Sequence, residues 1–345
     1  MVPPDKHYED NPIDALRLQR VRQIKDFEVL WGTPGKSTGQ STCSAGTKRC
    51  STPMANTKEK LVIGGLRRLL NGTARMSRRQ AGKIGYYLLT KPRRFPEDPS
   101  NEQFLSEADQ STVHFNGTNI HCYHWPGKGP SVFLLHGWES YTGRWYELFG
   151  PLAKAGYDIY AIDAPAHGRS GGKRFNVFVY CQAIDQYLEE LGFVPDYWIG
   201  HSGGGMAAIY YASQADFAHE PKHIISMAVP GELENFVDKF CEIVGANDRV
   251  KYGIDYQFQR KLDRSFADIN FKEFVKGLKV PGLIIHDEED DVAPIAGARC
   301  MHENWENSRL ATTRGCGHSL TGPLVPAIVT EYIRSTQTAS VELEK

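Results

Sequence analysis

The stretch YWIGHSGGG, residues 197–205, decides the fold of this chain. An apolar run ends at Ile199, a single serine, Ser202, stands among glycines, and small apolar residues follow from Met206 onward. Glycine tolerates a cramped turn and leaves room for a backbone packed close by. A strand that enters a helix through a G-x-S-x-G turn presents its serine hydroxyl as a nucleophile. The motif alone fits an incidental serine in a turn equally well, so the rest of the chain has to decide.

The composition of the 345-residue chain argues against several classes of protein. Hydrophobic residues make up 41% and charged residues 23%, which is ordinary for a globular domain. The formal net charge is −1, so we expect no nucleic-acid partner. Seven cysteines without a C-x-x-C pair argue against a disulfide framework and a zinc site. No apolar run is long enough to span a bilayer and no signal-peptide core opens the chain, so we expect a cytoplasmic location.

Two N-terminal segments differ from the rest of the chain. Residues 1–53 include a long stretch of Gly, Ser, Thr, Pro and basic residues, which predicts a disordered tail. Residues 54–110 are predicted to form a basic helical segment. Between residues 58 and 94 the sequence has eleven cationic residues and only one anionic residue, Glu59. This segment either packs on the domain with its cations in water or makes weak peripheral contact with an anionic membrane. We favour packing.

From residue 111 to 338 the pattern becomes regular. A hairpin signal at Asn116-Gly117 is followed by short apolar runs that segments of helical length separate. The runs are Val132–Leu135, Tyr157–Ile162, Tyr197–Ile199, Ile224–Ala228 and Leu283–Ile285. Such alternation predicts an α/β fold with a mostly parallel central sheet and helices on both faces. We expect residues 339–345 to be a disordered end.

Polar side chains follow several of these strands, where parallel sheets place their ligands. Ser202 follows one run, the acidic cluster HDEEDDVAP at 286–294 follows another, and His318 stands later in a glycine-flanked loop. A serine hydroxyl needs an imidazole to take its proton and a carboxylate to support that imidazole. The chain supplies all three in this order. The carboxylate can be any member of the cluster: Asp287, Glu288, Glu289, Asp290 or Asp291.

The motifs LLHGW, DAPAHGRS, GHSGGG, HDEEDDVAP and GCGHSL occur in order between about residues 111 and 335. With this set the chain resembles the α/β-hydrolase fold family, within its broad bacterial esterase and serine-aminopeptidase-like group. The resemblance implies Ser202 as nucleophile, His318 as base and the Trp138 and Gly203 amides as oxyanion hole. It implies Asp290 as the acid, because the family acid usually stands four residues before the proline closing its loop.

The other histidines of these motifs, His136, His167 and His201, are interpreted as structural. None has a second ligand at metal spacing, so we expect no metal, and the motifs call for no cofactor. The resemblance also implies a small helical cap inserted at about 229–279. Its aromatic residues either line the substrate pocket or form the cap's own core, and the sequence favours neither interpretation. These residues are Phe236, Phe240, Tyr252, Tyr256 and Phe258.

The sequence therefore predicts a hydrolase that cleaves a small-molecule carboxylic ester through an acyl-serine. The same three side chains serve amide hydrolysis, so an amide or small-peptide substrate is the first alternative. A ligand-binding protein that keeps the fold without catalysis is the second, because a fold does not prove a function.

Overall fold

The computed structural model describes residues 57–94, 96–217 and 219–343, so the predicted disordered tail, residues 1–53, lies outside the described residues. Internal contacts divide the chain into two units. Of the described residues, the first unit holds 57–88 and 237–265, and the second holds the rest.

The helices are α1 (Thr57–Met76), α2 (Arg78–Thr90), α3 (Glu102–Ser106), α4 (Tyr146–Lys154), α5 (Val177–Leu191), α6 (Gly203–Ser213), α7 (Leu233–Val244), α8 (Asp248–Leu262), α9 (Phe271–Phe274), α10 (Ile295–Asn304) and α11 (Leu324–Leu343). Short 3-10 turns occupy Pro99–Asn101, Thr142–Trp145 and Phe266–Asp268.

The two units cut across the predicted boundaries. The N-terminal segment 54–110 is divided after residue 88, and the middle of the predicted cap, 237–265, belongs with the N-terminal helices. The physical reason lies in Gly82 of α2 and Gly253 of α8, because a side chain on Gly82 would collide with the backbone of Gly253. Paired glycines let these helices approach closely, and nothing local in the sequence signals that pairing.

In the first unit one face of α1 is buried. Leu66, Leu70 and Ala74 are completely covered, and the Arg249 Nε donates to the Ala74 carbonyl at 3.0 Å. Tyr86 of α2 meets the ring of Phe258 edge-on, with 5.3 Å between centroids. This face of α1 therefore packs within the first unit.

The second unit is built on an eight-stranded sheet, and the predicted α/β fold with a mostly parallel sheet is confirmed. Its strands are β1 (Asp109–Phe115), β2 (Thr118–Trp125), β3 (Ser131–Leu135), β4 (Asp158–Ile162), β5 (Tyr197–His201), β6 (His223–Met227), β7 (Gly282–Asp287) and β8 (Ser308–Thr313). They lie in the order β1-β2-β4-β3-β5-β6-β7-β8. β2 is antiparallel to β1 and to β4, and all other neighbours are parallel.

Every residue of β3, β5 and β7 is buried, which explains their continuous apolar runs. Side chains such as Leu134 and Ile199 join one hydrophobic core with Leu152 of α4 and Val329 of α11. Burying each such side chain is worth about 1.5–3 kcal/mol. The core thereby holds the carboxyl ends of β3 to β8 at one edge of the sheet. No apolar run in the sequence predicted β8, because this edge strand is only half-buried.

The predicted disordered end at 339–345 is wrong as far as Leu343, because α11 continues to that residue. No glycine or proline follows Pro326 to interrupt it. The last two residues lie outside the described part of the chain. Within that part, no helix combines the length and the apolar character needed to cross a bilayer.

Candidate active site

Ser202 stands at the turn between β5 and α6. Its backbone has φ of 48° and ψ of −115°, a conformation that side chains other than glycine rarely adopt. The Ser202 amide is anchored by a 2.7 Å hydrogen bond to the Met227 carbonyl of the next strand. A side chain on Gly204 would overlap the Leu135 carbonyl, so only glycine lets α6 begin so close to β3. The local sequence thus accounts for the strained turn that lifts the hydroxyl out of the sheet.

His318 follows β8 and reaches the serine. Its Nε2 lies 3.2 Å from the Ser202 Oγ, and its Nδ1 lies 2.8 Å from Oδ2 of Asp290. The His318 carbonyl accepts a 2.8 Å hydrogen bond from Nε2–H of His201. Burial holds the pKa of His201 well below its usual range, so this side chain is a neutral donor that fixes the base loop.

Asp290 is the carboxylate that the structure brings to His318. Its Oδ1 accepts hydrogen bonds from the Val292 and Ala293 amides at 2.9 and 2.8 Å, leaving Oδ2 directed at the imidazole. The other members of the acidic cluster point elsewhere. Glu288 pairs with Arg314, and Glu289 and Asp291 are exposed. The loop hydrogen bonds therefore select one carboxylate of five.

Asp287, the remaining member of the cluster, is fully buried and holds the loop that carries His318. Its Oδ2 accepts from the Thr313 hydroxyl at 2.7 Å and from the Cys316 amide at 2.9 Å. Its Oδ1 accepts from the Glu289 amide at 2.9 Å. Burial acts to raise the pKa of Asp287, but these hydrogen bonds outweigh it and the pKa lies below its usual value. This anchoring was not predicted, because no sequence signal separates Asp287 from its acidic neighbours.

The loop after β3 lies against the serine turn. A Cβ on Gly137 would stand 3.1 Å from the Ser202 Cβ and 3.3 Å from the Gly203 nitrogen. The Trp138 nitrogen lies 3.4 Å from the corresponding position on Gly203. Gly203 is the first residue of α6, where N–H groups have no partner within the helix. The main-chain segments that carry the Trp138 and Gly203 amides therefore meet at the serine turn.

Glu139, which follows Trp138, is strained and clamped. Its φ is 51°, in the left-handed region. The Arg93 guanidinium binds both carboxylate oxygens, with Nε 2.9 Å from each, and the Arg93 amide adds a 3.0 Å bond. Both side chains are about nine-tenths buried. The Glu139 amide donates to His167 Nε2 at 2.9 Å, so it is already engaged. Sequence reasoning missed this clamp, because Arg93 stands far away in the chain.

His136 and His167 brace the same loop as neutral acceptors. Nε2 of His136 accepts from the Ala164 amide at 2.8 Å, and its Nδ1–H donates to the Gly137 carbonyl. His167 makes the same kinds of hydrogen bond: its Nε2 accepts from the Glu139 amide, and its Nδ1–H donates to the Pro165 carbonyl. Burial lowers the pKa of His136 to about 4 and that of His167 to about 3. Both rings thus hold the loop through hydrogen bonds to the main chain.

An aromatic residue of the second unit, Phe175, lies beside the serine turn. Phe175 contacts Trp138, with 5.6 Å between ring centroids, and stands 3.4 Å from the position of a Cβ on Gly203. Four of the five aromatic candidates named for the cap belong to the first unit instead. There Phe240 and Phe258 are buried, and Arg78 and Arg79 stack on Tyr252 and Tyr256. Among the described residues, no group of three His, Cys, Asp or Glu side chains is placed to hold a metal ion.

A family model described as alpha/beta hydrolase fold matches residues 130–239. The chain is 24% identical over 251 residues to a non-heme haloperoxidase of Rhodococcus erythropolis, covering 59% of this chain and 91% of that protein. It is 25% identical over 208 residues to a monoacylglycerol lipase of Mycolicibacterium smegmatis, covering 49% and 73%. It is 25% identical over 252 residues to a bifunctional esterase/perhydrolase of Acinetobacter calcoaceticus, covering 59% and 91%.

Solved structures share the fold at lower identity. A bacterial membrane phospholipase A superposes with a TM-score of 0.55 at 14% identity, covering 81% of this chain and 99% of that one. A meta-cleavage product hydrolase from Pseudomonas fluorescens superposes with a TM-score of 0.51 at 18% identity, covering 67% and 99%. The parallel sheet, the family match over residues 130–239 and these superpositions together show that the chain has the α/β-hydrolase fold.

Proposed function

We propose that this protein is a serine hydrolase that cleaves carboxylic esters through an acyl-serine intermediate. One observation carries the proposal: the His318 imidazole bridges the Ser202 hydroxyl at 3.2 Å and the Asp290 carboxylate at 2.8 Å. An imidazole held in this way can take a proton at Nε2 while the carboxylate keeps Nδ1 protonated. The names of relatives, which include an esterase and a lipase, agree with the same chemistry.

Acylation of Ser202 follows from this geometry. As the Ser202 Oγ attacks the ester carbonyl carbon, its proton passes to Nε2 of His318 and the carbonyl oxygen becomes an oxyanion. The Asp290 charge stabilises the imidazolium that forms. When the tetrahedral intermediate collapses, the bond to the alcohol oxygen breaks, and His318 returns its proton to that oxygen. An alcohol leaves and an acyl-serine remains.

The oxyanion needs preorganised donors, and we assign this role to the amides of Trp138 and Gly203. Gly203 opens an eleven-residue helix whose dipole adds positive potential at this end. Loss of one such donor typically costs about 3–4 kcal/mol in the barrier. Deacylation repeats the cycle with water. Water gives a proton to His318 as its oxygen attacks the acyl carbon, the bond between the acyl carbon and Ser202 Oγ breaks, and His318 returns the proton to Oγ, which releases the acid.

Labelling with a fluorophosphonate tests the nucleophile. The parent protein should be labelled once and should hydrolyse p-nitrophenyl acetate, and Ser202→Ala should lose both properties. Ser106→Ala, which removes an exposed hydroxyl from α3, is the matched control and should behave like the parent. Parent protein that neither labels nor turns over any ester would be a ligand-binding member of the fold.

A substrate panel separates ester from amide hydrolysis. The p-nitrophenyl esters from acetate to laurate should be cleaved far faster than the matching p-nitroanilides, because an amine leaves only after protonation by His318. Anilides cleaved at rates comparable with the esters would move the assignment to an amidase or peptidase that uses the same residues.

A further inference from the structure

The proposed hydrolysis gives no role to the residues on the outward face of α1. We define this outward face by five exposed side chains at helical spacing: Leu61, Arg68, Leu69, Arg75 and Met76. The opposite face of the helix carries Leu66, Leu70 and Ala74, all completely buried in the first unit. One side of the helix therefore packs, and the other is presented to the surroundings.

Large apolar side chains on this face stand in water. Leu61 is 72% exposed, Met76 is 85% exposed and Leu69 is 37% exposed. Exposed apolar side chains that cluster, rather than lying scattered singly, mark interaction sites. Their position on a helix already anchored from behind makes the face rigid. Asn71 is part of that anchor, donating to the Gly245 carbonyl at 2.9 Å and accepting from the Asn247 amide at 3.0 Å.

The chain segment that carries these apolar side chains, residues 61–88, has positive charges only. No aspartate or glutamate stands between Glu59 and Glu97 in the sequence. Residues 61–88 carry six cations, namely Arg67, Arg68, Arg75, Arg78, Arg79 and Lys83. Guanidinium groups bind phosphate oxygens well, and aliphatic side chains beside them can enter the boundary between headgroups and acyl chains.

We propose that the outward face of α1 is a docking surface for an anionic lipid bilayer. The positive charge alone would also attract a nucleic acid, but a phosphate backbone provides no apolar environment in which Leu61 and Met76 could be buried. A bilayer satisfies both kinds of side chain on one helical face. Because few residues take part, the contact is peripheral and reversible, and salt weakens it.

Co-sedimentation of the full chain with vesicles tests the proposal. At low salt the protein should bind vesicles of phosphatidylcholine and phosphatidylserine, should not bind pure phosphatidylcholine, and should be released as salt rises. Arg68→Glu/Arg75→Glu should lower the partition coefficient about tenfold or more. Leu61→Ser/Met76→Ser should lower it as well, because aliphatic burial is lost. Lys128→Glu/Lys279→Glu, which changes the same charge at exposed residues of the second unit, should bind like the parent.

Several outcomes would overturn the proposal. Absence of sedimentation at low salt would do so, as would equal losses in the α1 and control charge variants. Binding of a DNA or RNA duplex with unchanged affinity in Leu61→Ser/Met76→Ser, without vesicle binding, would reveal a polyanion site instead. A shift from dimer to monomer in that apolar variant, again without vesicle binding, would reveal an interface between copies of the chain. Hydrolysis of soluble p-nitrophenyl acetate should be unchanged in every variant, which separates docking from catalysis.

Discussion

The carboxylate of Asp287 accepts a 2.9 Å hydrogen bond from the main-chain amide of Cys316, two residues before His318. The acid loop therefore supplies two buried carboxylates with different tasks. Asp290 faces the imidazole itself, and Asp287 holds the backbone that carries the imidazole. If Ser202 is the nucleophile, the rate should depend on both.

Asp287→Asn should lower kcat about tenfold to a hundredfold and reduce stability by about 2–3 kcal/mol, because charge-assisted hydrogen bonds to the base loop are weakened. As a positioning residue, it should also alter the pH profile of kcat, a readout that a purely structural role would not move. Glu288→Gln, whose partner Arg314 is exposed, is the control and should leave the profile unchanged. If Asp287→Asn leaves the pH profile of kcat unchanged, Asp287 has a purely structural role.

Asp290→Asn should lower kcat about a thousandfold or more while the protein stays folded, because the charge that supports the imidazolium is lost. Asp291→Asn, one residue away and exposed, should retain most of the parent activity. Steady-state kinetics with p-nitrophenyl acetate and circular dichroism measure the two properties. The reverse ranking would assign the acid to Asp291.

Glu139→Gln should lower kcat more than it raises KM, by about tenfold to a hundredfold. Without the bidentate contact to Arg93, the strained residue can relax and move the neighbouring Trp138 amide, which we propose acts mainly on the transition state. A double-mutant cycle with Arg93→Gln checks the mechanism. The double variant should be less impaired than the product of the single effects, and strictly multiplicative effects would argue against the clamp.

Stability should fall as the pH drops from about 6.5 to 4. The pKa of His136 is about 4 in the folded protein and that of His167 about 3, against 6.5 for unfolded histidine. Below pH 6.5 the unfolded state therefore binds protons that the folded state does not bind. The contribution of each histidine to folding stability is complete above pH 6.5 and is lost as the pH falls toward the pKa of that histidine in the folded protein. Each histidine should contribute about 2 kcal/mol of loss between pH 7 and 5.

Urea unfolding at several pH values measures this slope, and His136→Gln should flatten it. Since that variant can also lose stability at neutral pH, the proton resonances of the parent histidines provide a second measurement. Signals of His136 and His167 that titrate near pH 6.5 in the folded protein would contradict the prediction.

Local sequence was sufficient for much of the fold. Continuous apolar runs such as Val132–Leu135 mark strands buried on both faces, and the glycines around Ser202 mark a strand-to-helix turn. These are properties of a few consecutive residues, so they can be read without knowing the neighbours in space. The edge strand Ser308–Thr313 was not marked, because an exposed strand needs no apolar run.

The sequence by itself determined that Ser202 and an acidic cluster follow strands of a parallel sheet and that His318 lies in a later glycine-flanked loop, since hydrophobic periodicity and turn residues act locally. Only the tertiary structure decided which carboxylate meets His318, because Asp287 and Asp290 share one chemistry and differ in the direction that loop hydrogen bonds impose. The clamp of Arg93 on Glu139 and the pairing of Gly82 with Gly253 likewise join residues distant in the chain. Such contacts arise when packing brings separate segments together, and no short stretch of sequence encodes them.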